Sequence, residues 1–295
     1  MKTKSAMITI AGRPNVGKST LTNYLVGEKI AIVSNNPQTT RNRICGIVTQ
    51  GNTQFVFVDT PGYHRSRTKL GDYMVNVARE SIADVDATIL VVEPIASIGA
   101  QEEGLIEKIK ESKSPAILAI NKIDTVEKES LLEVIAAYSA TGVFDAIIPI
   151  SARTGDGVED LLKFCEKYAV EGPFLFDDDV TTDQPERQVM AEIIREKILW
   201  NLDREIPHGT AVEITKFSER DNGIIDIDAT IYCEKASHKG IIIGKNGEML
   251  KKISTMARAD CEKFMGTRVH LTTWVKVKEN WRDSDFLVRN FGYSE

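Results

Sequence analysis

Eight residues near the amino terminus have the composition of a phosphate-binding loop. Residues 12–19 read Gly-Arg-Pro-Asn-Val-Gly-Lys-Ser and match the pattern G-x-x-x-x-G-K-S, between a strand pattern and a helical pattern. Glycines let successive backbone N–H groups point into one concavity, and the following helix directs its positive end at bound phosphates. Lys18 would bridge the terminal phosphates, and the Ser19 hydroxyl would ligate Mg²⁺. The motif predicts a nucleoside triphosphate site that includes Gly12, Asn15, Val16, Gly17, Lys18, Ser19 and Thr20.

A second motif ends a strand pattern with the sequence Asp-Thr-Pro-Gly at residues 59–62, which fits D-x-x-G. It would place the Asp59 carboxylate near the water shell of the metal and the Gly62 N–H beside a γ-phosphate. Any junction between a strand and a turn could carry this tetrapeptide by chance. It therefore indicates a triphosphate switch only in combination with the phosphate-binding loop.

A third motif predicts that the bound base is guanine. Residues 121–124, Asn-Lys-Ile-Asp, follow a buried strand pattern. The Asp124 carboxylate accepts two hydrogen bonds, which suits the N1–H and N2–H₂ donors of guanine, whereas adenine presents an acceptor at N1. Asn121 would tie this loop to the phosphate loop, and the Lys122 stem would cover the purine face. The Ala152 backbone N–H would donate to the guanine O6. The predicted base-binding residues are Asn121, Lys122, Asp124, Ser151, Ala152 and Arg153.

The elements that must position these motifs alternate along the first 170 residues. Helical patterns cover 69–83, 101–110, 128–140 and 158–168, and strand patterns cover 7–11, 45–50, 54–59, 87–93, 116–121 and 146–150. Several strand patterns are apolar runs with little alternation, which is typical of strands buried on both faces. We expect a three-layer α/β domain of P-loop type with a mostly parallel sheet.

Length and composition predict two globular domains. The chain has 295 residues, about twice the commonest domain size, with 42% hydrophobic and 27% charged residues. No apolar run approaches the roughly 18 residues of a membrane span, and the first residues lack the apolar core of a signal peptide, so we expect a cytoplasmic protein. The four cysteines and four histidines are scattered, without the spacing of a disulfide framework or a zinc site.

Composition also predicts where the chain divides. Residues 171–185 contain two prolines and three consecutive aspartates without any period, as linkers do. We therefore predict one domain at residues 1–172, a linker at 173–185 and a second domain at 186–295. Beyond the linker, helical and strand patterns follow the order α-β-β-α-α-β and predict an α+β domain, with a further short helix at 283–290.

The second domain contains the one strongly basic stretch of an acidic chain. The net charge of the chain is −6, but residues 235–278 carry ten basic and three acidic side chains. Within them, residues 244–247 read Gly-Lys-Asn-Gly, a G-x-x-G turn that ordinary helix corners also contain. The preceding isoleucines, the basic surroundings and the order of elements resemble a type II KH domain. That resemblance implies that about four nucleotides of single-stranded RNA bind at Lys239, Ile242, Ile243, Gly244, Lys245, Asn246, Gly247, Lys251 and Lys252.

Some lysines at helical spacing would simply form a solvated face, and Arg258 is a further candidate for phosphate contact. The three tryptophans could stack on bases, but a tryptophan in a small domain is more often part of the core. We therefore expect Trp200, Trp274 and Trp281 to be buried.

The nucleotide motifs together resemble the translation-factor-related branch of P-loop GTPases over residues 5–170. Residues 37–41 of this chain correspond to the first switch loop of that branch. In the family, a threonine of this loop completes the Mg²⁺ shell when γ-phosphate is present. Alignment with the family favours Thr40, and Thr39 remains an alternative. The resemblance implies catalytic roles for Lys18, Thr40 and Gly62, with Ser19, Thr40 and Asp59 at the metal.

One departure from the family pattern concerns hydrolysis. Tyr63 stands where many signalling GTPases have a glutamine that orients the attacking water, so we expect slow unaided turnover, on the order of 10⁻⁴ to 10⁻³ s⁻¹. Asn15 is similar to the asparagine that potassium-dependent members use to hold K⁺ beside the β- and γ-phosphates. Activation by K⁺ is therefore a hypothesis.

A GTPase domain followed by one type II KH domain, at this length, resembles the Era family of GTPases. The resemblance implies a monomeric, Mg²⁺-dependent switch between GTP and GDP that binds the 3′ end of 16S ribosomal RNA and assists biogenesis of the 30S subunit, in the cytoplasm or loosely at the inner membrane. Two alternatives remain. One is a P-loop phosphotransferase, against which the Asn-Lys-x-Asp motif argues; the other is an RNA-binding protein with a non-switching nucleotide domain, against which the complete phosphate and metal set argues.

Overall fold

The computed structural model describes residues 2–34, 36, 39–62, 68–81 and 85–293. They form two compact units, of which the first comprises 1–31, 40–66 and 74–183 and the second 32–39, 67–73 and 184–295, each as far as described. The second unit thus includes two short segments from the amino-terminal half of the chain. Tyr63 and residues 37 and 38 of the expected first switch loop lie outside the described residues.

One sheet organises the first unit. Its strands are β1 (Lys4–Ala11), β2 (Ile44–Gln50), β3 (Thr53–Asp59), β4 (Ala87–Val92), β5 (Ala116–Ile120), β6 (Ala146–Pro149) and β7 (Val170–Glu171). Their order in the sheet is β2-β3-β1-β4-β5-β6, with β7 also paired to β1. The β2–β3 and β1–β7 pairs are antiparallel, and the remaining pairs are parallel.

Helices cover both faces of this sheet. Leu21 and Leu161 belong to a core on one face, and Leu105 and Tyr138 belong to a core on the other. All six residues of β4 are buried, as its apolar run predicts. The expected three-layer, mostly parallel arrangement is confirmed. The helices of this part of the chain are α1 (Lys18–Val26), α2 (Lys69–Glu80), α3 (Ala100–Ser112), α4 (Ser130–Ser139) and α5 (Val158–Cys165).

The parallel strands bring the sequence motifs to one edge. The phosphate loop follows β1, and the D-x-x-G motif begins at the last residue of β3. The Asn-Lys-x-Asp motif follows β5, and the predicted base-binding residues 151–153 follow β6. Because parallel strands end at the same side of a sheet, four segments far apart in sequence converge there.

Residues 173–183, within the segment predicted as a linker, pack on the first unit. The Ile47 N–H donates to the Thr181 carbonyl oxygen at 2.9 Å. The Gln54 side chain is hydrogen-bonded to the backbone of Leu175 and Phe176, and the Phe176 ring packs against the buried side chains of β2 and β3. Residues 173–183 are therefore an ordered part of the first unit.

The second unit combines helices with a three-stranded sheet. Its elements are α6 (Glu186–Asn201), β8 (Ala211–Glu219), β9 (Ile225–Cys233), α7 (Ala236–Ile243), α8 (Glu248–Met265), β10 (Val269–Val277) and α9 (Asp285–Asn290). The sheet has the order β10-β9-β8, in which β8 is antiparallel and β10 parallel to β9. The order α-β-β-α-α-β agrees with the sequence pattern, and the short helix α9 follows. None of the helices in the described ranges combines the length and apolar character of a membrane span.

Candidate functional site

The phosphate loop has a backbone that only particular residues tolerate. Gly12 has φ 154°, and a Cβ there would lie 2.5 Å from the Val91 carbonyl oxygen. Gly17 has φ 104°, and a Cβ there would lie 2.2 Å from the Asn121 amide nitrogen. Asn15 also has a positive φ, 65°. The glycines are therefore needed both for conformation and for close approach, and helix α1 begins immediately after them.

Lys18 occupies the concavity that this loop surrounds. Its Nζ donates to the carbonyl oxygens of Gly12 at 3.0 Å and Arg13 at 2.9 Å, and the residue is buried. Burial lowers the pKa of Lys18 to about 8, an effect that the nearby Asp59 partly offsets. The loop thus holds a buried ammonium where a phosphate would supply the missing negative charge.

Three oxygen-bearing side chains converge beside the loop. The Ser19 hydroxyl lies 2.8 Å from the Thr40 hydroxyl and donates to Asp59 Oδ2 at 2.7 Å. Asp59 is fully buried, its Oδ1 has no hydrogen-bond partner among the described residues, and burial raises its pKa to about 6 against the opposing effect of Lys18. Hard oxygen ligands around an unpartnered buried carboxylate oxygen fit Mg²⁺. The Thr39 hydroxyl instead donates to the Asn36 carbonyl oxygen, so the structure brings Thr40 to the cluster.

Gly62 lies against the same loop, since a Cβ there would approach the Pro14 nitrogen to 2.8 Å. Of the remaining predicted phosphate-site residues, Val16 is fully buried and Thr20 is half-buried in the first turn of α1. All the predicted phosphate and metal residues within the described ranges therefore belong to one neighbourhood of the first unit.

The guanine-specific motif joins two loops to the phosphate loop. The Asn121 amide donates to the Val16 carbonyl oxygen at 2.8 Å, and its Oδ1 accepts from the Ala152 N–H at 2.9 Å. Asp124 accepts from the Ser151 hydroxyl at 2.6 Å and pairs with Arg153 at 2.5 Å. The Ser151 bond first, and the Arg153 charge further, lower the pKa of Asp124. Its carboxylate is thus kept ionised and oriented.

Sequence reasoning missed Glu93, which joins these loops electrostatically. Its carboxylate pairs with Lys122 Nζ at 2.5 Å and with the Arg13 guanidinium. Lys122 Nζ also donates to the Asn15 carbonyl oxygen at 2.7 Å. Glu93 immediately follows β4, and an acidic residue at the carboxyl end of a strand beside β1 is the signal that could have identified it.

The G-x-x-G turn lies between α7 and α8, where it was expected. Gly244 has φ 73° and its Cβ would lie 2.7 Å from the Met249 Cβ, while Gly247 has φ 79° and precedes α8. The two residues between them, Lys245 and Asn246, are exposed. The turn therefore presents a cation and an amide to solvent next to a helix amino terminus.

The surroundings of the turn require one correction. Ile242, predicted to contact RNA, is 0% exposed and belongs to the core of the second unit, so its side chain cannot reach a ligand. The exposed isoleucine is Ile241, at 49%. Helical phase decides this, because successive residues of an α-helix are rotated by about 100° and only one of the two lies on the face that packs against the core. Among the other predicted contact residues, Ile243 and Lys239 are half-buried, while Lys251, Lys252 and Arg258 are exposed on α8.

The expectation of buried tryptophans holds for only one of the three. Trp281 is fully buried and donates to the Gly209 carbonyl oxygen at 2.9 Å. Trp200 is 49% and Trp274 58% exposed. Neither exposed tryptophan therefore serves mainly as core packing.

Comparison with known families gives two matches. The family described as 50S ribosome-binding GTPase matches residues 7–122, and the KH domain matches residues 205–282. The protein named GTPase Era from Ruminiclostridium cellulolyticum is 52% identical over 293 residues, which is 99% of this chain and 98% of that protein. The GTPase Era of Clostridioides difficile is 50% identical over 294 residues, 99% of both chains.

Two solved structures resemble the whole chain. One is Era in complex with MgGDPNP and nucleotides 1506–1542 of 16S ribosomal RNA, and the other is Aquifex aeolicus Era Y63A bound to GDP and AlF4⁻. Each has a TM-score of 0.95 and 36% sequence identity, and the match covers 99% of this chain and 100% of the solved one.

Proposed function

Because the chain belongs to the Era family of GTPases, we propose that it is a GTP-hydrolysing switch that binds the 3′ end of 16S ribosomal RNA and assists assembly of the 30S subunit. The observation that carries this proposal is the convergence of Lys18, Ser19, Thr40 and Asp59 at the sheet edge that also holds Asp124. A relative with the same fold binds both a GTP analogue and 16S RNA. The GTPase domain is residues 1–172, and the KH domain is residues 186–295.

In this proposal Ser19, Thr40 and Asp59 hold Mg²⁺. The bound ion would neutralise developing charge on the phosphates. Lys18 contacts the terminal phosphates, and the backbone of the phosphate loop cradles them with Gly12, Asn15, Val16, Gly17 and Thr20. The Gly62 N–H donates to the γ-phosphate. The base is bound by Asn121, Lys122, Asp124, Ser151, Ala152 and Arg153. Because residue 63 is a tyrosine and not a glutamine, another group must orient the attacking water.

RNA binding is assigned to the G-x-x-G turn and the exposed basic residues around it. Gly244, Lys245, Asn246 and Gly247 would lie along the sugar-phosphate backbone, with support from Lys239, Ile243, Lys251 and Lys252. Ile241 replaces Ile242 as the apolar contact because it is the exposed residue. We place the protein in the cytoplasm as a monomer, with any membrane contact peripheral.

The proposed switch is tested by the affinity for a labelled single-stranded RNA that matches the 3′ end of 16S RNA. Fluorescence anisotropy would be measured in Mg²⁺ with a non-hydrolysable GTP analogue and then with GDP. We expect the protein to bind RNA at least about fivefold more tightly with the analogue than with GDP, which is the lower range of measured coupling between sites. RNA must then increase the affinity for the analogue, relative to GDP, by the same factor. Equal RNA affinities in the two states would contradict a switch and favour an RNA-binding protein with a non-switching nucleotide domain.

The double substitution Lys245→Asp with Asn246→Asp should weaken RNA binding about tenfold, whatever the RNA sequence, because it removes one phosphate contact and adds repulsion. The slope of log affinity against log salt should fall by about 0.7 for each phosphate that the protein no longer neutralises. The control is Lys263→Asp with Asn222→Asp, the same charge change at exposed positions of the same unit. An unchanged slope in the first variant would show that the turn is not the RNA clamp.

Potassium should accelerate GTP hydrolysis if Asn15 holds K⁺. Because Asn15 has a left-handed backbone, glycine can replace it without strain, so Asn15→Gly removes only the carboxamide. In the wild type, we expect turnover in KCl to exceed turnover in NaCl by about tenfold or more, which is the scale of one charge contact in a transition state. In the variant, the turnover rates in the two salts should be nearly equal. Equal wild-type turnover in the two salts would exclude the role of K⁺.

A further inference from the structure

Strand β10 of the second unit has a row of basic and aromatic side chains on the face that points away from the helices. Successive side chains of a strand alternate between its two faces. One set packs on the core and the helices, as Val269 and Val275 show by their burial and Thr273 by the 2.7 Å between its hydroxyl and Ser254 Oγ of α8. The other set, which we call the β10 row, comprises Arg268, His270, Thr272, Trp274, Lys276 and Lys278.

The two outermost cations belong to this row although they flank the strand. The Arg268 carbonyl oxygen accepts from the Ile225 N–H at 3.0 Å, and the Lys278 N–H donates to the Cys233 carbonyl oxygen at 2.8 Å. Both flanking residues are thus paired with β9, which keeps their backbone extended and continues the alternation. At about 3.3 Å per residue, the β10 row is about 33 Å long.

The β10 row is open to solvent. Trp274 is 58% exposed, and the row's cations and His270 are exposed as well. No ion pair between described residues involves Arg268, Lys276 or Lys278. The row therefore presents three unpaired positive charges on both sides of an exposed indole ring.

The neighbouring strand β9 adds little that would neutralise this charge. Its Asp226 is already paired with Arg220 at 2.5 Å, and its Tyr232 ring packs 4.7 Å from the ring of Phe291. Thr230, opposite Trp274 in the register, is uncharged. Asp228, opposite Thr272, makes no ion pair with another described residue, so one carboxylate lies beside the centre of the row.

Cations around an exposed aromatic ring fit a single strand of nucleic acid. The cations attract phosphates, and the ring stacks on a base whatever its identity. The position of β10 brings such a strand within reach, because β10 is the last strand of its sheet and packs against α7 and α8, the helices that flank the G-x-x-G turn. RNA that leaves the turn can cross this edge of the sheet without passing over another strand.

We propose that the β10 row is a second contact surface for single-stranded RNA, separate from the G-x-x-G turn, on which Trp274 stacks with a base and Arg268, Lys276 and Lys278 contact phosphates. The inference rests on the proposed function, because it takes the second unit to bind RNA at the turn. A KH groove holds about four nucleotides, so the β10 row contributes only when the RNA is longer.

The test measures anisotropy of the full chain with labelled RNA that matches the 3′ end of 16S RNA. Two lengths are compared, about six nucleotides, slightly more than a KH groove holds, and about twenty nucleotides. Trp274→Ala removes the ring, and Trp274→Phe keeps an aromatic face at the same position. Phe286→Ala is the matched control, because Phe286 is a 75% exposed aromatic residue on α9 of the same unit.

We expect Trp274→Ala to bind the longer RNA at least about fivefold more weakly, the lower range for the loss of one base stack, and the shorter RNA within about twofold of wild type. Trp274→Phe should keep most of the affinity, and Phe286→Ala should behave as wild type. Asp228→Asn should bind the longer RNA about twofold more tightly or better, since it removes a repulsion of phosphate.

The charges of the β10 row are tested by replacing Lys276 and Lys278 together with alanine. For the longer RNA, the slope of log affinity against log salt should fall by about 0.7 for each phosphate that is no longer neutralised. For the shorter RNA, the slope should stay as in the wild type. The control removes two positive charges at other exposed positions of the same unit, Lys263→Ala with Arg289→Ala.

An unchanged affinity for the longer RNA in both Trp274→Ala and the double lysine variant would overturn the inference and leave the β10 row to a protein partner. An equal loss of affinity for the two lengths would also overturn it, because β10 would then act through the fold of the KH groove. If the wild type binds neither RNA, the proposed function itself fails. If it binds RNA and the substitutions at Lys245 and Asn246 weaken that binding, the proposed function stands whatever the β10 row does.

Discussion

The variant Lys18→Ala is expected to bind Mg²⁺-bound GTP at least about a hundredfold more weakly than the wild type. A hydrogen bond from a charged donor contributes about 1.5–3 kcal/mol, and Lys18 would make at least two such bonds to the terminal phosphates. Because about 1.4 kcal/mol corresponds to a factor of ten, removing both exceeds a hundredfold. The variant also lacks the bonds from Nζ to the Gly12 and Arg13 carbonyl oxygens of the loop. Titration with a fluorescent GTP analogue measures the effect.

The same substitution should leave the fold intact. Burial lowers the pKa of Lys18 to about 8, which means that the fold disfavours its charged form when no phosphate is bound. Removing the charge also removes the free-energy cost of burying it, which offsets the absence of the two bonds to backbone carbonyls. The melting temperature without nucleotide should therefore change little. Lys163→Ala, at an exposed ion pair on α5, serves as a control for the removal of a lysine. Affinity within about threefold of wild type would show that Lys18 does not contact phosphate.

Local sequence was sufficient to predict the nucleotide-binding edge. A buried parallel strand requires a continuous apolar run, and a phosphate loop requires glycines at fixed spacing, so both can be read within a dozen residues. The sheet then brings the ends of β1, β3, β5 and β6 together by geometry alone. For that reason the hydrogen bonds of Asn121 with the phosphate loop and with Ala152 follow the sequence prediction closely.

Interactions that depend on a distant partner were not predictable in this way. Glu93 resembles any acidic residue after a strand until Arg13 and Lys122 are placed beside it. A charged run such as 195–197 is normally a solvated helix face, and only the structure shows that these three side chains are buried in the second unit. The error at Ile242 has a simpler cause, because a run of three isoleucines does not reveal which of them faces the core.

The substitution Asp124→Asn should exchange guanine for xanthine as the preferred base. The asparagine amide would direct a donor at the guanine N2–H₂ group, so the affinity for GTP should fall by about 10²- to 10⁴-fold, as expected when a buried polar contact becomes mismatched. Xanthine carries an oxygen at position 2 and keeps N1–H, which complement the amide N–H₂ and carbonyl oxygen of asparagine. The variant should therefore bind xanthosine triphosphate more tightly than GTP.

The structure indicates that this exchange affects the base and little else. The Ser151 hydroxyl can donate to an asparagine oxygen as it does to Asp124 Oδ1, and the broken pair with Arg153 involves a guanidinium that is 74% exposed, so its contribution to stability is small. Asp160→Asn, the same chemical change in an exposed turn of α5, should leave both affinities unchanged. Competition between GTP and xanthosine triphosphate for a fluorescent nucleotide gives the ratio directly. If Asp124→Asn still prefers guanine, the carboxylate does not read the base, and the Asn-Lys-x-Asp motif would no longer distinguish this chain from a P-loop phosphotransferase.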